Sequence, residues 1–188
     1  MNSYDEYAED YLLYGSDLEI VSPTSVIPSE IPTKDFALMK AVNDYRASVN
    51  LPPIPISLLA HKAVSTHVEE ESALLNAEND MFSDFKEYNA CNWSYSQSQS
   101  NENCMSSKPS NILGINNNVY QMSITDPSEN LNPTDTVHKW VSKSANDSFI
   151  ENTGKWADME WAGFGCAYDT DARFNGTRFG SCYFIAPR

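Results

Sequence analysis

The apolar residues change their spacing along the chain, and this change limits the folds that the chain can adopt. In a first segment, which starts at Asp35, apolar residues recur at spacings of 4, 3 and 4, at Leu38, Val42, Tyr45 and Val49. Such a stripe predicts an amphipathic helix. The pair Pro52–Pro53 ends it, because proline lacks the N–H that a helix interior needs.

A second helix is predicted from Ser57 to about Leu75. Ser57 is a suitable N-cap, because its hydroxyl can accept a bond from a free backbone N–H of the first turn. The apolar face consists of Leu59, Ala60, Ala63, Val64 and His67. This pattern makes His67 a buried structural histidine, whereas His61 falls near the polar side and is predicted to be solvated.

The second half of the chain shows the alternation that is typical of strands. Alternating runs occupy residues 120–124, 161–168 and 179–186, and Asn175-Gly176 marks a turn between the last two. A third helix is predicted after the first run, because Asn132 is a good cap and Pro133 suits the first position. The order of these segments predicts an α+β fold in which helices cover an antiparallel sheet.

Residues 1–34 differ from the rest of the chain. They contain seven acids and one lysine, so they carry a charge of -6 out of -14. Pro23, Pro28 and Pro32 favour extended backbone. We interpret this segment as an acidic, proline-containing extended arm in front of a domain at 35–188. The first interpretation of the arm is a solvated tail. The alternative, which uses its Tyr, Leu, Ile and Val content, is an extended arm that lies on a neighbouring subunit.

The acidic balance disfavours two classes of partner. The chain has 12 Lys plus Arg against 26 Asp plus Glu. Such a surface repels phosphate backbones and anionic lipid, which argues against nucleic-acid binding and against attachment through a basic patch. No run approaches the roughly 20 apolar residues of a membrane span. No phosphate-binding glycine motif and no nucleophile elbow occurs, so no cofactor is predicted.

The cysteines and the glycosylation sequons indicate an oxidising compartment. The even count of Cys91, Cys104, Cys166 and Cys182 suggests two disulfides, the alternative being four reduced thiols. We interpret the polar stretch 76–118 as an irregular excursion closed by Cys91–Cys104. N-x-S/T sequons start at Asn92, Asn146 and Asn175. These features favour an extracellular or virion-surface protein. Residues 1–20 do not read as a secretory signal, so a signal was removed before this numbering or another route is used.

Several short motifs occur in an order that one protein family shares. The early ones are Asn43-x-x-Arg46, the turn Leu51-Pro52-Pro53-Ile54 and a helix with Ala63 and His67. The later ones are Trp140 followed by Ser142 and Ser144, then Trp156, Trp161, Gly163 and Gly165-Cys166-Ala167, and finally Ser181-Cys182-Tyr183 through Pro187. Over residues 35–188 the chain resembles the CAP superfamily, also called SCP-like. That superfamily includes cysteine-rich secretory proteins, insect antigen 5 and plant pathogenesis-related 1 proteins.

The resemblance implies a fold and a bridge. The fold is a three-layer α-β-α sandwich with a central antiparallel sheet, and the bridge is Cys166–Cys182 in the last hairpin. One subgroup of the family also carries two cysteine blocks and a Gly-Tyr-Glu strand. In this chain the matching segments are Cys91-Asn92-Trp93-Ser94, Cys104-Met105-Ser106-Ser107-Lys108-Pro109 and Val119-Tyr120-Gln121.

The resemblance also implies where a catalytic cleft would lie. Many members have two His and two Glu in this cleft, which can hold a divalent metal and act on bound water. Carried over by position, one His becomes Ser94, one Glu becomes Gln121 and the other His becomes Asn146. Amides accept no proton near neutral pH and are poor zinc ligands. The site is therefore predicted to be degenerate and metal-free, with His138, Trp140 and Tyr120 as further candidate lining residues.

These observations predict a non-enzymatic, CAP-like extracellular or virion-surface module that acts by binding or assembly. Its partner would be a protein or a neighbouring subunit contacted through residues 1–34, or a glycan or lipid ligand. One alternative is a metal-dependent hydrolase with relocated ligands, such as His138 with Glu160. A second alternative is a sterol or lipid carrier, a role that some family members perform.

Overall fold

The computed structural model describes residues 20–21, 30–78, 110, 113–126, 132–142, 149–168 and 178–187. In chain order its elements are β1 (Ile20–Val21), α1 (Thr33–Ser48), β2 (Ile56–Ser57), α2 (Leu58–Glu78), β3 (Val119–Asp126), α3 (Pro133–Val141), a short 3-10 helix (Gly154–Trp156), β4 (Gly163–Tyr168) and β5 (Arg178–Ile185). This combination of helices and strands confirms the predicted α+β class.

Helix α1 starts earlier than the apolar stripe predicted. It begins at Thr33, directly after Pro32, whose extended backbone (φ -55°, ψ 140°) leads the chain into the helix. Its core side chains are fully buried, namely Leu38, Met39 and Val42. Val49 follows the last helical residue and is 39% exposed, so the final position of the predicted stripe lies outside the core.

Both N-caps predicted from the sequence are confirmed. The Ser57 hydroxyl accepts a hydrogen bond from the backbone N–H of Ala60 at 3.1 Å and thereby caps α2. The Asn132 side chain accepts from the N–H of Asp135 at 2.8 Å and caps α3. Pro133 opens α3, where a missing N–H costs no helical hydrogen bond. Helix α2 continues to Glu78, beyond the predicted end.

The strands form one sheet in the order β1-β2-β4-β5-β3. Three of the pairings are antiparallel, whereas β2 and β4 run parallel through Ile56 and Phe164. The sheet is therefore mixed, where the sequence predicted an antiparallel one. The parallel pair is possible because the chain between β2 and β4 contains two helices, which allow it to return in the same direction.

Alternate residues of the strands belong to two separate hydrophobic clusters. One cluster combines Phe164, Cys166, Cys182 and Phe184 with α1 and α3. The other combines Ala167, Tyr183 and Ile185 with Ala60, Ala63, Val64 and Val68 of α2. Because neighbouring residues of a strand point to opposite faces, the two clusters lie on opposite faces of the sheet. The three-layer arrangement itself stays a prediction.

The disulfide in the last hairpin is present as predicted. Cys166 of β4 and Cys182 of β5 are directly paired across the two strands and are joined by an S–S bond. The bond closes a loop with a sequence separation of 16. Closing a loop of that length stabilises the fold by about 3 kcal/mol through the lower entropy of the unfolded chain.

Strand β1 is held by few contacts. It pairs with β2 through Ile20–Ser57 and Val21–Ile56. A backbone hydrogen bond contributes about 1 kcal/mol net, and ordering one residue costs about 1–2 kcal/mol. Because these two terms are of similar size, β1 is bound much more weakly than the longer strands in the middle of the sheet.

Candidate functional site

Asn43 and Arg46, the first motif of the family resemblance, fix the proline turn between α1 and β2. The Asn43 amide donates to the Ile54 carbonyl at 3.0 Å and accepts from the Ile54 N–H at 2.8 Å. Arg46 is only 3% exposed, and its Nε donates to the carbonyl of Pro52 at 2.8 Å. These contacts hold the chain where it enters the sheet, so both motif residues have a structural role.

Arg46 also connects this turn to the segment that precedes β4. Its Nη1 donates to the Ile150 carbonyl at 2.7 Å and to Oδ1 of Asn152 at 2.6 Å. Asn152 has a φ of 51°, a left-handed conformation that asparagine tolerates better than most residues. Next to it, Glu151 accepts a hydrogen bond from the hydroxyl of Tyr45. Helix α1 therefore positions the loop that carries the aromatic residues described below.

Gln121 is the degenerate cleft position that lies in the described part of the chain. It is half-buried in β3, where it pairs with Tyr183 of β5. Its Nε2 lies 2.9 Å from Nε2 of His67, a residue of α2 that is 1% exposed. The His67 and Tyr183 rings have a centroid distance of 5.7 Å. Two strands and one helix thus meet at the His67 cluster, which consists of His67, Gln121 and Tyr183.

The hydrogen bond between Gln121 and His67 determines the chemistry of this cluster. The Gln121 amide and the His67 imidazole share one hydrogen bond, and the ring tautomer determines which of them donates. Nε2 of His67, a ring atom of the kind that binds metals, is engaged by this contact. The amide cannot replace it as a base. At this position the chain therefore has a hydrogen-bonding amide where the family resemblance implies a carboxylate.

The prediction that His61 is solvated is wrong. His61 is 6% exposed, and its Nε2 lies 2.9 Å from Oδ2 of Asp35, which is 2% exposed. The other oxygen of Asp35 accepts from the N–H of Tyr168 at 3.0 Å. His61 is buried because β4 approaches α2 closely at Gly165, whose lack of a Cβ permits backbone contact with His61.

Asp35, His61 and Ser65 do not form a catalytic triad. The Ser65 hydroxyl lies 3.2 Å from Nε2 of His61, the same nitrogen that contacts Asp35. In a serine hydrolase the carboxylate holds one ring nitrogen and the nucleophile contacts the other, so that the ring can pass a proton. With both partners on one nitrogen, the arrangement ties α1, α2 and β4 together and does not activate Ser65.

The three candidate lining residues differ in exposure. Trp140 is fully buried, Tyr120 is half-buried and His138 is exposed. Tyr120 and Trp140 both contact the cluster that contains α1 and α3. The His138 ring lies edge-on to Tyr45, with a centroid distance of 6.1 Å. His138 therefore contacts α1, and its assignment to a cleft stays a prediction.

Aromatic side chains form a continuous layer beside Tyr120. The centroid of its ring lies 4.5 Å from that of Trp156 and 5.9 Å from that of Trp161. Phe149 stacks on both tryptophans, and the Trp161 indole N–H donates to the Phe149 carbonyl at 3.1 Å. Both tryptophans are buried, whereas Tyr120 and Phe149 are half-buried. Most of this layer is core, and only its edge is accessible to a ligand.

Sequence reasoning missed the role of Tyr168 at the end of β4. Its hydroxyl bonds the buried Thr136 of α3, and its carbonyl accepts from Lys34 at the start of α1. Together with the N–H that bonds Asp35, this residue links β4 to two helices. In the sequence, Tyr168 is only the last aromatic residue of an alternating run, and this pattern does not identify its hydrogen-bond partners.

The remaining predicted positions lie outside the described residues. These are the degenerate cleft positions Ser94 and Asn146, the cysteines Cys91 and Cys104, and the sequon residues Asn92, Asn146 and Asn175. Within the described ranges, no group of three or more His, Cys, Asp or Glu is arranged to hold a metal ion. None of the helices in the part of the chain that the structure describes could span a lipid bilayer.

Comparisons of the chain with protein-family models, with curated proteins and with solved structures found no match. The assignment to the CAP superfamily therefore rests on the sequence motifs and stays a prediction.

Proposed function

We propose that this protein is a non-enzymatic, CAP-like module of an extracellular or virion surface that acts by binding or assembly. The observation that carries this proposal is the hydrogen bond between the Gln121 amide and Nε2 of the buried His67. At the strand position where the family resemblance places a carboxylate, the chain has a neutral amide that engages the neighbouring imidazole.

The scaffold around this position supports the proposal. The motif residues Asn43 and Arg46 have specific structural partners, and the Cys166–Cys182 bridge closes the last hairpin. These contacts stabilise the fold, and the site position has an amide. Both features are expected of a domain that binds a partner and does not catalyse a reaction. The half-buried edge of the aromatic layer, Tyr120 with Phe149, offers apolar surface for such a partner.

The proposed localisation follows from the disulfide. A bridge is expected to persist in an oxidising environment and is rare in a reducing cytosol. Glycosylation at the sequons belongs to the same proposal, and so does contact with a neighbouring subunit through residues 1–34.

Metal removal tests the absence of a functional metal site. We expect that a chelator leaves the melting temperature of the full chain unchanged, because a bound metal would stabilise the folded state and its removal would lower that temperature. The matched control is the triple variant Ser94→His/Gln121→Glu/Asn146→His, which restores the ligand types that the resemblance implies. Added zinc should raise its melting temperature and the chelator should reverse this.

The opposite result would favour the hydrolase alternative. If the chelator lowers the melting temperature of the wild-type chain and zinc restores it, a metal site with relocated ligands exists and the non-enzymatic proposal fails. If organic extraction of the native protein followed by mass spectrometry yields a stoichiometric sterol or lipid, the carrier alternative replaces recognition of a protein or glycan.

A further inference from the structure

We propose that β1 is an exchangeable strand, and that the β2 edge of one copy of this chain binds the segment Ile20–Val21 of a second copy. This inference rests on the assembly role proposed above for residues 1–34. It adds the segment that docks, the surface that receives it and the identity of the partner.

The receiving edge is held in place independently of β1. Ile56 is 4% exposed and pairs with Phe164 of β4, and the Phe164 N–H donates to the carbonyl of Pro55 at 2.9 Å. Ser57 is fully buried and caps α2. Because these contacts come from β4 and α2, the edge stays formed when β1 leaves. Once β1 has left, an edge of this kind can bind an extended segment by strand addition.

The residues that follow β1 and its linker are fixed in the domain. Ile31 is 3% exposed in the core, and Asp35 bonds both His61 and Tyr168. Nine residues, 22–30, separate Ile31 from β1, and a stretch of nine residues can span at most about 30 Å.

A second copy is the partner that the geometry favours. The β2 edge accepts Ile20–Val21 in two antiparallel pairs, and an identical segment is present in every copy. Reciprocal exchange closes a two-fold dimer with the same strand pairing and needs no new surface. The net charge of -14 on each copy opposes association, so salt, which screens this repulsion, should favour exchange.

Mixing isotopically heavy and light full-length chains tests the exchange, with native mass spectrometry as the readout. We expect mixed dimers whose fraction rises with protein concentration and with ionic strength. The variant Ile20→Pro/Val21→Pro removes both backbone donors of β1, so its dimer fraction should fall by about tenfold or more. The matched variant Ile20→Thr/Val21→Thr keeps the donors and the β-branched shape, and it should dimerise like wild type.

Three results would overturn the inference. A strictly monomeric wild-type chain at all concentrations and salt levels would do so. Dimer fractions that stay at the wild-type level in both variants would place the interface elsewhere. An equal loss in both variants would show that backbone pairing is not the cause. The chelator experiment decides separately whether the protein is a non-enzymatic module, so failure of the exchange leaves that proposal intact.

Discussion

At the scale of single residues, a buried contact of 2.9 Å between Oδ2 of Asp35 and Nε2 of His61 joins α1 to α2. The spacing of apolar residues correctly placed His67 on a buried face of α2, and His67 is 1% exposed. The same pattern predicted that His61 lies on the polar side of α2, because an apolar stripe identifies only one buried face of a helix. A carboxylate from α1 and the backbone of β4 cover that side as well. No local pattern signals such a partner, since Asp35 lies 26 residues away from His61.

Gly165 gives a test at this scale. A Cβ at Gly165 would lie 2.2 Å from the backbone nitrogen of His61 and 2.5 Å from its Cα, and neither atom can move without shifting α2. We expect Gly165→Ala to lower the free energy of unfolding by more than about 3 kcal/mol, or to prevent folding. Urea denaturation measures this difference.

The matched control for Gly165 is Gly114. It has a φ of 64°, and a Cβ there would have no atom within 4 Å. Gly114→Ala should therefore cost only the strain of a left-handed alanine, about 1–2 kcal/mol. Equal losses in the two variants would contradict the close approach of β4 and α2.

At the scale of elements, local signals predicted well and distant pairings did not. The caps at Ser57 and Asn132 and the hairpin of β4 and β5 depend on neighbouring residues, and the structure has all three. The pairing of Ile56 with Phe164 joins positions far apart in the sequence, and β2 has only two residues, too few for an alternating run. Sequence reasoning therefore missed both the short strand and the parallel pair.

The hairpin disulfide gives the prediction at this scale. Replacing Cys166 and Cys182 by alanine should lower the free energy of unfolding by about 3 kcal/mol under oxidising conditions, because the unfolded chain loses a cross-link. Urea denaturation in oxidising buffer measures it. In a strong reductant the wild-type chain loses the same cross-link. The difference in unfolding free energy between wild type and the alanine variant should then fall to the contribution of the packing that two buried sulfur atoms make. A difference that does not change with reductant would mean that packing, and not the cross-link, stabilises the hairpin.

At the scale of the whole molecule, the negative charge has two parts. Residues 1–34 carry -6 and the remaining residues carry -8, so neither part attracts polyanions. The arm also contributes β1 to the sheet, so part of the acidic segment is joined to the domain. The sequence predicted an extended segment there, but it could not reveal where that segment pairs, because a two-residue strand has no pattern of its own.

The proposed function depends on Gln121, an amide at the position where the family resemblance implies a carboxylate. The most direct test is the zinc content of the wild-type protein, purified without added metal and measured by mass spectrometry. Because Gln121 contacts Nε2 of His67 and an amide is a poor zinc ligand, we expect zinc far below one ion per chain. One zinc ion per chain in the wild-type protein would contradict it.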